Sequence, residues 1–121
     1  MQKLRVMIVE DDEMIAGLLA ELIEALGYEV CAVESSENGA VAAARHSRPD
    51  LMIVDAHLQN GSGMGAVDRI NGSETISHIY VTGDAKTVKI LKPDATVLQK
   101  PYFELDLVLA IQSALTQVPA H

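Results

Sequence analysis

The sequence predicts an α/β fold in which a doubly wound, five-stranded parallel sheet is covered by helices on both faces. Strand-like apolar runs and helix-like segments alternate five times along the chain. One of these runs, LMIVD (51–55), has four consecutive apolar residues, which is typical of a strand buried on both faces. The 121 residues are enough for one hydrophobic core, so residues 1–121 are expected to form one domain.

The first half of the chain supplies strands at RVMIV (5–9) and YEVCAV (28–33), one compact and apolar and one alternating. Between them a helix is predicted over residues 14–26, and Gly27 ends it. Its apolar stripe consists of Ile15, Leu18, Leu19, Leu22 and Leu26. Either Ser35 or Ser36 caps an alanine-rich helix that reaches about His46, before Pro49 breaks the chain.

The second half continues the alternation. A glycine-rich loop (57–65) follows LMIVD, and a short helix continues to about Asn71. HIYVT (78–82) and TVLQ (96–99) are the last two predicted strands. The segment 83–95 between them is a short helix or a loop, because Pro93 and Asp94 disfavour a long helix. The final predicted helix covers residues 103–117.

That final helix carries more apolar residues than one face can hold. Leu107, Val108, Ile111 and Leu115 form a stripe at helical spacing and are expected to face the sheet. Leu105 and Leu109 lie off this stripe. They are either exposed as an apolar patch or covered by segment 83–95, and the pattern leaves both outcomes open.

Composition excludes several classes of function. The net charge is −8 and the nine basic residues form no cluster, so direct nucleic-acid binding is not expected. No apolar run reaches membrane length and no signal peptide is recognisable, so we expect a cytoplasmic protein. The single cysteine, Cys31, is predicted to be a buried thiol, and there is neither a disulfide framework nor a Cys/His metal spacing.

Polar groups follow four of the predicted strands. Glu10 and Asp11 come after the first strand, Asp55 ends the third, Thr82 ends the fourth and Lys100 follows the fifth. In a doubly wound sheet these strand ends share one edge, so the five residues are expected to meet in one cleft. Three carboxylates suit Mg²⁺ or Mn²⁺, while the hydroxyl and the ammonium group suit an anion attached to Asp55. A carboxylate nucleophile, a divalent cation and a lysine are what phosphoryl transfer onto aspartate requires.

Five motifs follow one another along the chain in this order: IVEDDE, LMIVD, the small-residue loop, VTG and QKP. With these motifs, nearly the whole chain resembles a receiver domain of a two-component response regulator. The resemblance implies the flavodoxin-like (βα)5 fold of that family. The resemblance implies that Asp55 is the phosphoacceptor. It also implies a metal site in which Asp11 is the direct ligand, Glu10 is its acidic neighbour and the main-chain carbonyl of His57 is a further ligand. A one-residue shift would place Asp12 there instead of Glu10. By the same resemblance Thr82 is the switch hydroxyl and Lys100 binds the phosphoryl group.

Departures from the family pattern concern the output rather than the phosphorylation chemistry. Receivers usually carry Tyr or Phe three residues before the lysine, where this chain has Val97, and proline four residues after the phosphoacceptor, where it has Gln59. Tyr80 stands two residues before Thr82 and is a candidate switch aromatic, though core packing explains it equally well. The IYVTG stretch resembles the aromatic-x-Thr-Gly pattern of mostly single-domain receivers of alphaproteobacteria, which often occur alongside HWE-type histidine kinases.

The resemblance implies a signalling module, not an enzyme beyond its own phosphorylation and dephosphorylation at Asp55. Its partners would be a sensor histidine kinase or histidine phosphotransfer protein and a downstream protein target. Met1 directly before the first strand favours a free-standing protein, and the alternative is a receiver fragment of a larger DNA-binding regulator. An aspartate phosphatase of the haloacid-dehalogenase type is a poorer alternative, because it needs a second Asp where this chain has His57. Flavodoxin-like cofactor binding fails, since EDDE would repel a phosphate.

Overall fold

A computed structural model describes residues 3–116 and confirms the predicted alternation of strands and helices. The strands are β1 (Arg5–Val9), β2 (Glu29–Glu34), β3 (Leu51–Asp55), β4 (Ser77–Thr82) and β5 (Thr96–Gln99). The helices are α1 (Glu13–Ala25), α2 (Glu37–Ser47), α3 (Gly63–Asn71), α4 (Ala85–Leu91) and α5 (Glu104–Thr116). Gln117, which the pattern assigned to the last helix, lies outside the described residues.

All strand pairs are parallel, and the strand order is β2-β1-β3-β4-β5. β3 therefore lies at the centre of the sheet, and every one of its residues is buried. Because successive side chains of a strand point to opposite faces, the sheet contributes side chains to two hydrophobic cores, one on each face. On one side Met7, Met52 and Val54 pack with α2, α3 and α4, and on the other Ile8 and Ile53 pack with α1 and α5.

The predicted stripe of α1 is only partly right: Leu19 is buried as expected, but Ile15 and Leu18 are not. The buried residues are Ala16, Leu19 and Ile23, whereas Ile15 and Leu18 are 42% and 62% exposed. Leu22 and Leu26 are partly buried at the margin of the core. Apolar residues surround most of this helix, so their spacing does not fix which side faces the sheet, and the small Ala16 takes a buried position that a larger side chain was expected to occupy.

On α5 the predicted stripe is half right. Leu107 and Ile111 are buried, but Val108 and Leu115 are only partly buried, and Ala110 and Ala114 occupy the rest of the covered face. The prediction that Cys31 is a buried thiol is likewise wrong, because this residue is half-buried on the edge strand β2.

Leu105 and Leu109 are exposed, at 65% and 54%, so the short segment before β5 does not cover them. That segment contains α4, a helix of only seven residues, as Pro93 and Asp94 predicted. No helix within residues 3–116 is long and apolar enough to cross a membrane.

Candidate functional site

The carboxyl edge of the sheet brings three carboxylates together. Oxygens of Glu10, Asp11 and Asp55, which we call the acidic cluster, lie within 4.8 Å of one another. They converge because β1 and β3 are neighbours and both end at this edge. Glu10 and Asp55 are nearly buried, at 7% and 8% exposed, and Asp11 is half-buried. The prediction that these side chains meet in one cleft is confirmed.

Lys100 completes the cluster from the loop after β5. Its Nζ donates a hydrogen bond of 3.0 Å to Oδ2 of Asp55 and lies 3.7 Å from Oε1 of Glu10. Burial lowers the pKa of Lys100, but the hydrogen bond and the charge of Asp55 outweigh this, so the pKa lies above its ordinary value. The lysine is therefore a firmly charged cation between two carboxylates. It precedes Pro101 across a cis peptide bond.

Glu10 is the member of the cluster that resists ionisation. Burial raises the pKa of Glu10, and the charge of Asp55 adds to the rise, while the N–H of Asp12 and the charge of Lys100 oppose it. The Asp12 N–H donates to Oε2 of Glu10 at 3.1 Å. Lys100 alone therefore does not offset the repulsion among the carboxylates at this partly desolvated edge. A further cation bound there would reduce that repulsion.

The backbone after β3 holds the Asp55 carboxylate. The N–H of His57 donates to Oδ1 of Asp55 at 3.0 Å, so both carboxylate oxygens have partners. At Gly63, the first residue of α3, an added Cβ would lie 1.9 Å from the main-chain oxygen of Asp55. Only glycine therefore lets α3 begin this close to Asp55. The side chain of His57 is exposed, and its main chain contacts the site.

Thr82 links the site to α4. Its side chain is 1% exposed and its Oγ1 accepts the N–H of Asp84 at 2.9 Å. The main-chain oxygen of Thr82 accepts the N–H of Lys100 at 2.7 Å. Thr82 follows Val81, the residue paired with Asp55 across the sheet. The predicted switch hydroxyl thus lies on the neighbouring strand, at the point where the chain leaves for α4.

Tyr80 lies in the core formed with α2, α3 and α4 and is 1% exposed. Its ring makes an edge-on contact with His78 at 5.1 Å between centroids. Among the described residues none hydrogen-bonds its hydroxyl, and burial raises the pKa of this phenol far above its ordinary value. Tyr80 pairs with Val97 on the adjacent strand, and Val97 packs against the same core. The switch role of Tyr80 stays a prediction.

Asp12 lies outside the cluster, in agreement with the choice of Glu10 and Asp11. It is the N-cap of α1, where its Oδ1 accepts the N–H groups of Met14 at 3.0 Å and Ile15 at 3.1 Å. An N-cap aspartate is already occupied by backbone donors, so it is a poor candidate for the metal site.

Three side chains around the site make contacts that the sequence did not predict. Oδ2 of Asp11 accepts the N–H of Gln59 at 2.8 Å. Gln99 bridges to the start of α4, donating to the oxygen of Gly83 at 2.8 Å and accepting the N–H of Ala85 at 2.9 Å. Glu37 of α2 contacts the loop after Asp55. Each contact joins a side chain to a distant backbone group, and no spacing or residue type in the sequence marks such a pair.

The acidic cluster fits a hard divalent cation. Its donors are carboxylate oxygens, and among the described residues it contains no sulfur or imidazole ligand. Such a donor set suits Mg²⁺ or Mn²⁺ and not Zn²⁺. Beside it a largely apolar cavity of about 720 Å³ is lined by Ile15, Leu18 and Tyr102 together with Asp55 and Lys100. The Asp55 carboxylate therefore lines an apolar cavity.

Curated relatives match parts of the chain. It is 31% identical over 109 residues, 86% of its length, to a protein-glutamate methylesterase/protein-glutamine glutaminase 2 of Anaeromyxobacter dehalogenans. It is 40% identical over 76 residues to the polar-differentiation response regulator DivK of Brucella ovis, 63% of this chain. The matched region spans 32% of the first relative and 61% of the second.

Solved structures and a family model agree with these matches. The receiver domain of PhyR from Erythrobacter litoralis has the same fold, with a TM-score of 0.87 and 24% identity over 98% of this chain and 97% of that one. The anti-anti-sigma factor PhyR of Bartonella quintana matches 95% of this chain with 48% of its own, at a TM-score of 0.77 and 28% identity. The model of the response regulator receiver domain matches residues 6–112. The chain therefore belongs to the receiver domain family of two-component response regulators.

Proposed function

We propose that this domain accepts a phosphoryl group on Asp55 from a sensor histidine kinase or a histidine phosphotransfer protein. The observation that carries the proposal is the position of the Asp55 carboxylate. It lies between the Lys100 ammonium group, 3.0 Å away, and the His57 N–H, 3.0 Å away, within the acidic cluster. This set supplies a fixed nucleophile and a preorganised cation at one edge of the sheet.

In the proposed reaction an oxygen of Asp55 attacks phosphorus in line with the bond that breaks. The new O–P bond forms as the N–P bond of the donor phosphohistidine breaks, and the donor imidazole keeps the electron pair and takes up a proton from solvent. Lys100 moves its contact from the carboxylate to the phosphoryl oxygens, and the Thr82 hydroxyl donates to the same group. Charge on those oxygens is thereby offset by groups already present at the edge.

Receiver domains bind Mg²⁺ at an acidic pocket, and we propose that Glu10, Asp11 and Asp55 form that pocket here. The main-chain carbonyl of His57 would complete the protein ligands. Mg²⁺ or Mn²⁺, when bound, supplies positive charge beside the phosphoryl oxygens. The raised pKa of Glu10 supports the assignment, because a carboxyl group that resists ionisation gains from an added cation.

The phosphodonor protein is proposed to dock on α1. Met14, Ile15 and Leu18 are exposed there, at 75%, 42% and 62%, and the last two line the apolar cavity beside Asp55. A partner that inserts an apolar helix face at this opening would also bring its histidine to the carboxylate. Ile15 and Leu18 are two of the residues that the sequence pattern assigned to the core.

The direct test of the proposed function is labelling by acetyl phosphate, a small phosphodonor. The wild-type chain should acquire phosphate in Mg²⁺ and lose the reaction when the metal is chelated by EDTA. A chain that stays unlabelled in both conditions would contradict the assignment of Asp55. A phosphotransfer profile against the histidine kinases of the source organism would then identify the partner.

Mg²⁺ is expected to stabilise the fold by binding the native cluster only. At a tenfold excess over its dissociation constant the gain is about 1.4 kcal/mol, which raises the melting temperature by roughly 5 °C. The Asp11→Asn variant keeps an acceptor for the Gln59 N–H and loses a metal ligand, so its melting temperature should respond much less. Equal shifts in the two proteins, measured by thermal unfolding, would place the cation elsewhere.

The proposed output runs through Thr82 into residues 83–94. Rotation of the hydroxyl toward a phosphoryl group would break its bond with the Asp84 N–H, 2.9 Å long, at the start of α4. Exposed apolar residues on α4 and α5, including Ile90, Leu105 and Leu109, offer a surface for a downstream protein. Access to this surface would then depend on phosphorylation.

NMR spectra with beryllofluoride and Mg²⁺, a phosphoryl mimic, are expected to show their largest remote shifts in residues 83–94 and near Leu105. Shifts confined to the neighbours of Asp55 would instead indicate a phosphate sink, which signals by consuming phosphoryl groups. The Thr82→Val variant is the matched control, because it keeps the shape of the side chain and removes the hydroxyl. Its remote shifts should be reduced while those at Asp55 persist.

The organisation of the whole protein is part of the proposal. We propose that residues 1–121 form one receiver domain that signals by binding another protein or by relaying the phosphoryl group. A receiver within a larger DNA-binding regulator is the alternative; the chain spans 32% and 61% of the length of two curated relatives. Either way the chemistry of this domain is limited to phosphorylation and dephosphorylation of Asp55.

A further inference from the structure

Glu37, the first residue of α2, holds the loop that follows Asp55. Its Oε1 accepts the N–H of Ser62 at 2.9 Å, and its Oε2 accepts Nη1 of Arg69 at 3.0 Å. The main-chain N–H of Glu37 donates to the oxygen of Asn60 at 3.1 Å. One residue of α2 therefore binds the loop at two backbone positions and also binds α3.

Two glycines leave space for the Glu37 side chain, one in the loop and one in the first turn of α3. An added Cβ at Gly61 would lie 2.5 Å from Cβ of Glu37, and one at Gly65 would lie 2.8 Å from its Oε1. Gly61 also has a φ of +92°, a conformation that side chains rarely adopt. The close approach therefore needs both the side chain of Glu37 and the missing side chains of Gly61 and Gly65.

A short path of contacts leads from Glu37 to the phosphoacceptor. Ser62, which Glu37 binds, forms an antiparallel bridge with His57, and the bond from the Gly63 N–H to the Ala56 oxygen, 3.1 Å long, closes it. The N–H of His57 then donates to Oδ1 of Asp55. Movement of Ser62 would therefore displace the donor that orients the nucleophile.

The Glu37 carboxylate is a charged acceptor at neutral pH. The hydrogen bond from the Ser62 N–H lowers the pKa of Glu37, and the Arg69 guanidinium lowers it further. A charged acceptor makes a stronger hydrogen bond than a neutral one, so replacement by an amide should weaken the contact with Ser62 without abolishing it.

We propose that Glu37 is a positioning residue for phosphoryl transfer, acting through Ser62 and His57 on the Asp55 carboxylate. The inference rests on the proposed function of Asp55. Glu37 does not touch the reacting atoms; it fixes the backbone that holds the nucleophile and carries the His57 carbonyl. In this chain α2 therefore takes part in shaping the loop after Asp55.

The test combines amide hydrogen exchange without metal with the rate of phosphorylation by acetyl phosphate in Mg²⁺. Glu37→Ala should slow phosphorylation roughly 10-fold, as loss of an outer-shell partner does. The Ser62 and His57 amides should exchange faster, while amides of β1 and β3 keep their wild-type rates. Glu37→Gln should fall between the two proteins in both measurements, and Arg69→Gln should stay near wild type because the Ser62 contact remains.

The matched control is Glu29→Ala, which removes an exposed ion pair with Arg5 at the opposite end of the strands. It should change neither the phosphorylation rate nor the exchange at Ser62. A wild-type phosphorylation rate and wild-type exchange at Ser62 in Glu37→Ala, or faster exchange throughout the domain in that variant, would overturn the proposal. Failure of the wild type to become phosphorylated would refute the function of Asp55. The exchange result would still show whether Glu37 holds the Ser62 and His57 amides.

Discussion

The Asp55→Asn variant is expected to give a single unshifted band on a Phos-tag gel after incubation with acetyl phosphate and Mg²⁺, while the wild type shifts. An amide lacks the anionic oxygen that attacks phosphorus, so the rate should fall at least ~10³-fold, below detection. The amide oxygen can still accept the His57 N–H. The amide nitrogen would face Lys100, however, so two donors meet where an ion pair stood.

The control for this experiment is Asp68→Asn, which removes a carboxylate that is bound to Lys92 on the surface of α3. Its phosphorylation should match the wild type, because this ion pair belongs to no part of the acidic cluster. Thermal unfolding of Asp55→Asn would show that the fold is retained. Equal phosphorylation of wild type and Asp55→Asn would assign the phosphoryl group to a different residue and refute the assignment of Asp55.

The position of the site could be predicted because topology alone assembles it. Parallel strands end at one edge, so Glu10, Asp55, Thr82 and Lys100 meet there whatever the details of the helices. The strands and the turns between them could also be predicted, because short apolar runs and turn residues are local sequence signals. The family match also leaves the haloacid-dehalogenase alternative without support, as the position of His57 indicated.

The faces of the helices and the contacts around the site needed the structure. In α1 the sequence MIAGLLAELI (14–23) is apolar almost all round. Only packing decides that Ile15 and Leu18 are exposed and line the cavity beside Asp55. The contact of Glu37 with Ser62 joins residues 25 positions apart through a backbone N–H. Every residue except proline offers such a donor, so the sequence does not mark this one.

Lys100→Ala is expected to slow phosphorylation by about 10²-fold, since it removes a preorganised cation from the developing charge. It should also lower the free energy of unfolding near neutral pH by about 1–2 kcal/mol, because two nearly buried carboxylates lose their shared partner. This figure is discounted for the partial exposure of the lysine, 32% at its side chain.

The loss of stability should depend on pH in a definite direction. Lys100 lowers the pKa of Glu10, so its removal leaves that pKa further above the ordinary value of 4.5. A carboxyl group with a raised folded-state pKa binds protons more tightly when folded, so the destabilisation is fully present above the folded pKa and disappears as the pH falls through it toward 4.5. The difference in unfolding free energy between Lys100→Ala and wild type should thus shrink on acidification.

Denaturant unfolding between neutral pH and about pH 4.5 measures this difference, with Lys92→Ala as the control because its partner Asp68 is exposed. The control should show only a small difference from the wild type, because its own ion pair is exposed and the remaining pH dependence comes from the weak effect of Lys92 on the pKa of His78. Mg²⁺ should restore part of the stability of Lys100→Ala at neutral pH, since a bound cation replaces the lost charge in the cluster. A deficit that is unchanged by both acid and Mg²⁺ would mean that Lys100 stabilises the fold by packing and not by its charge.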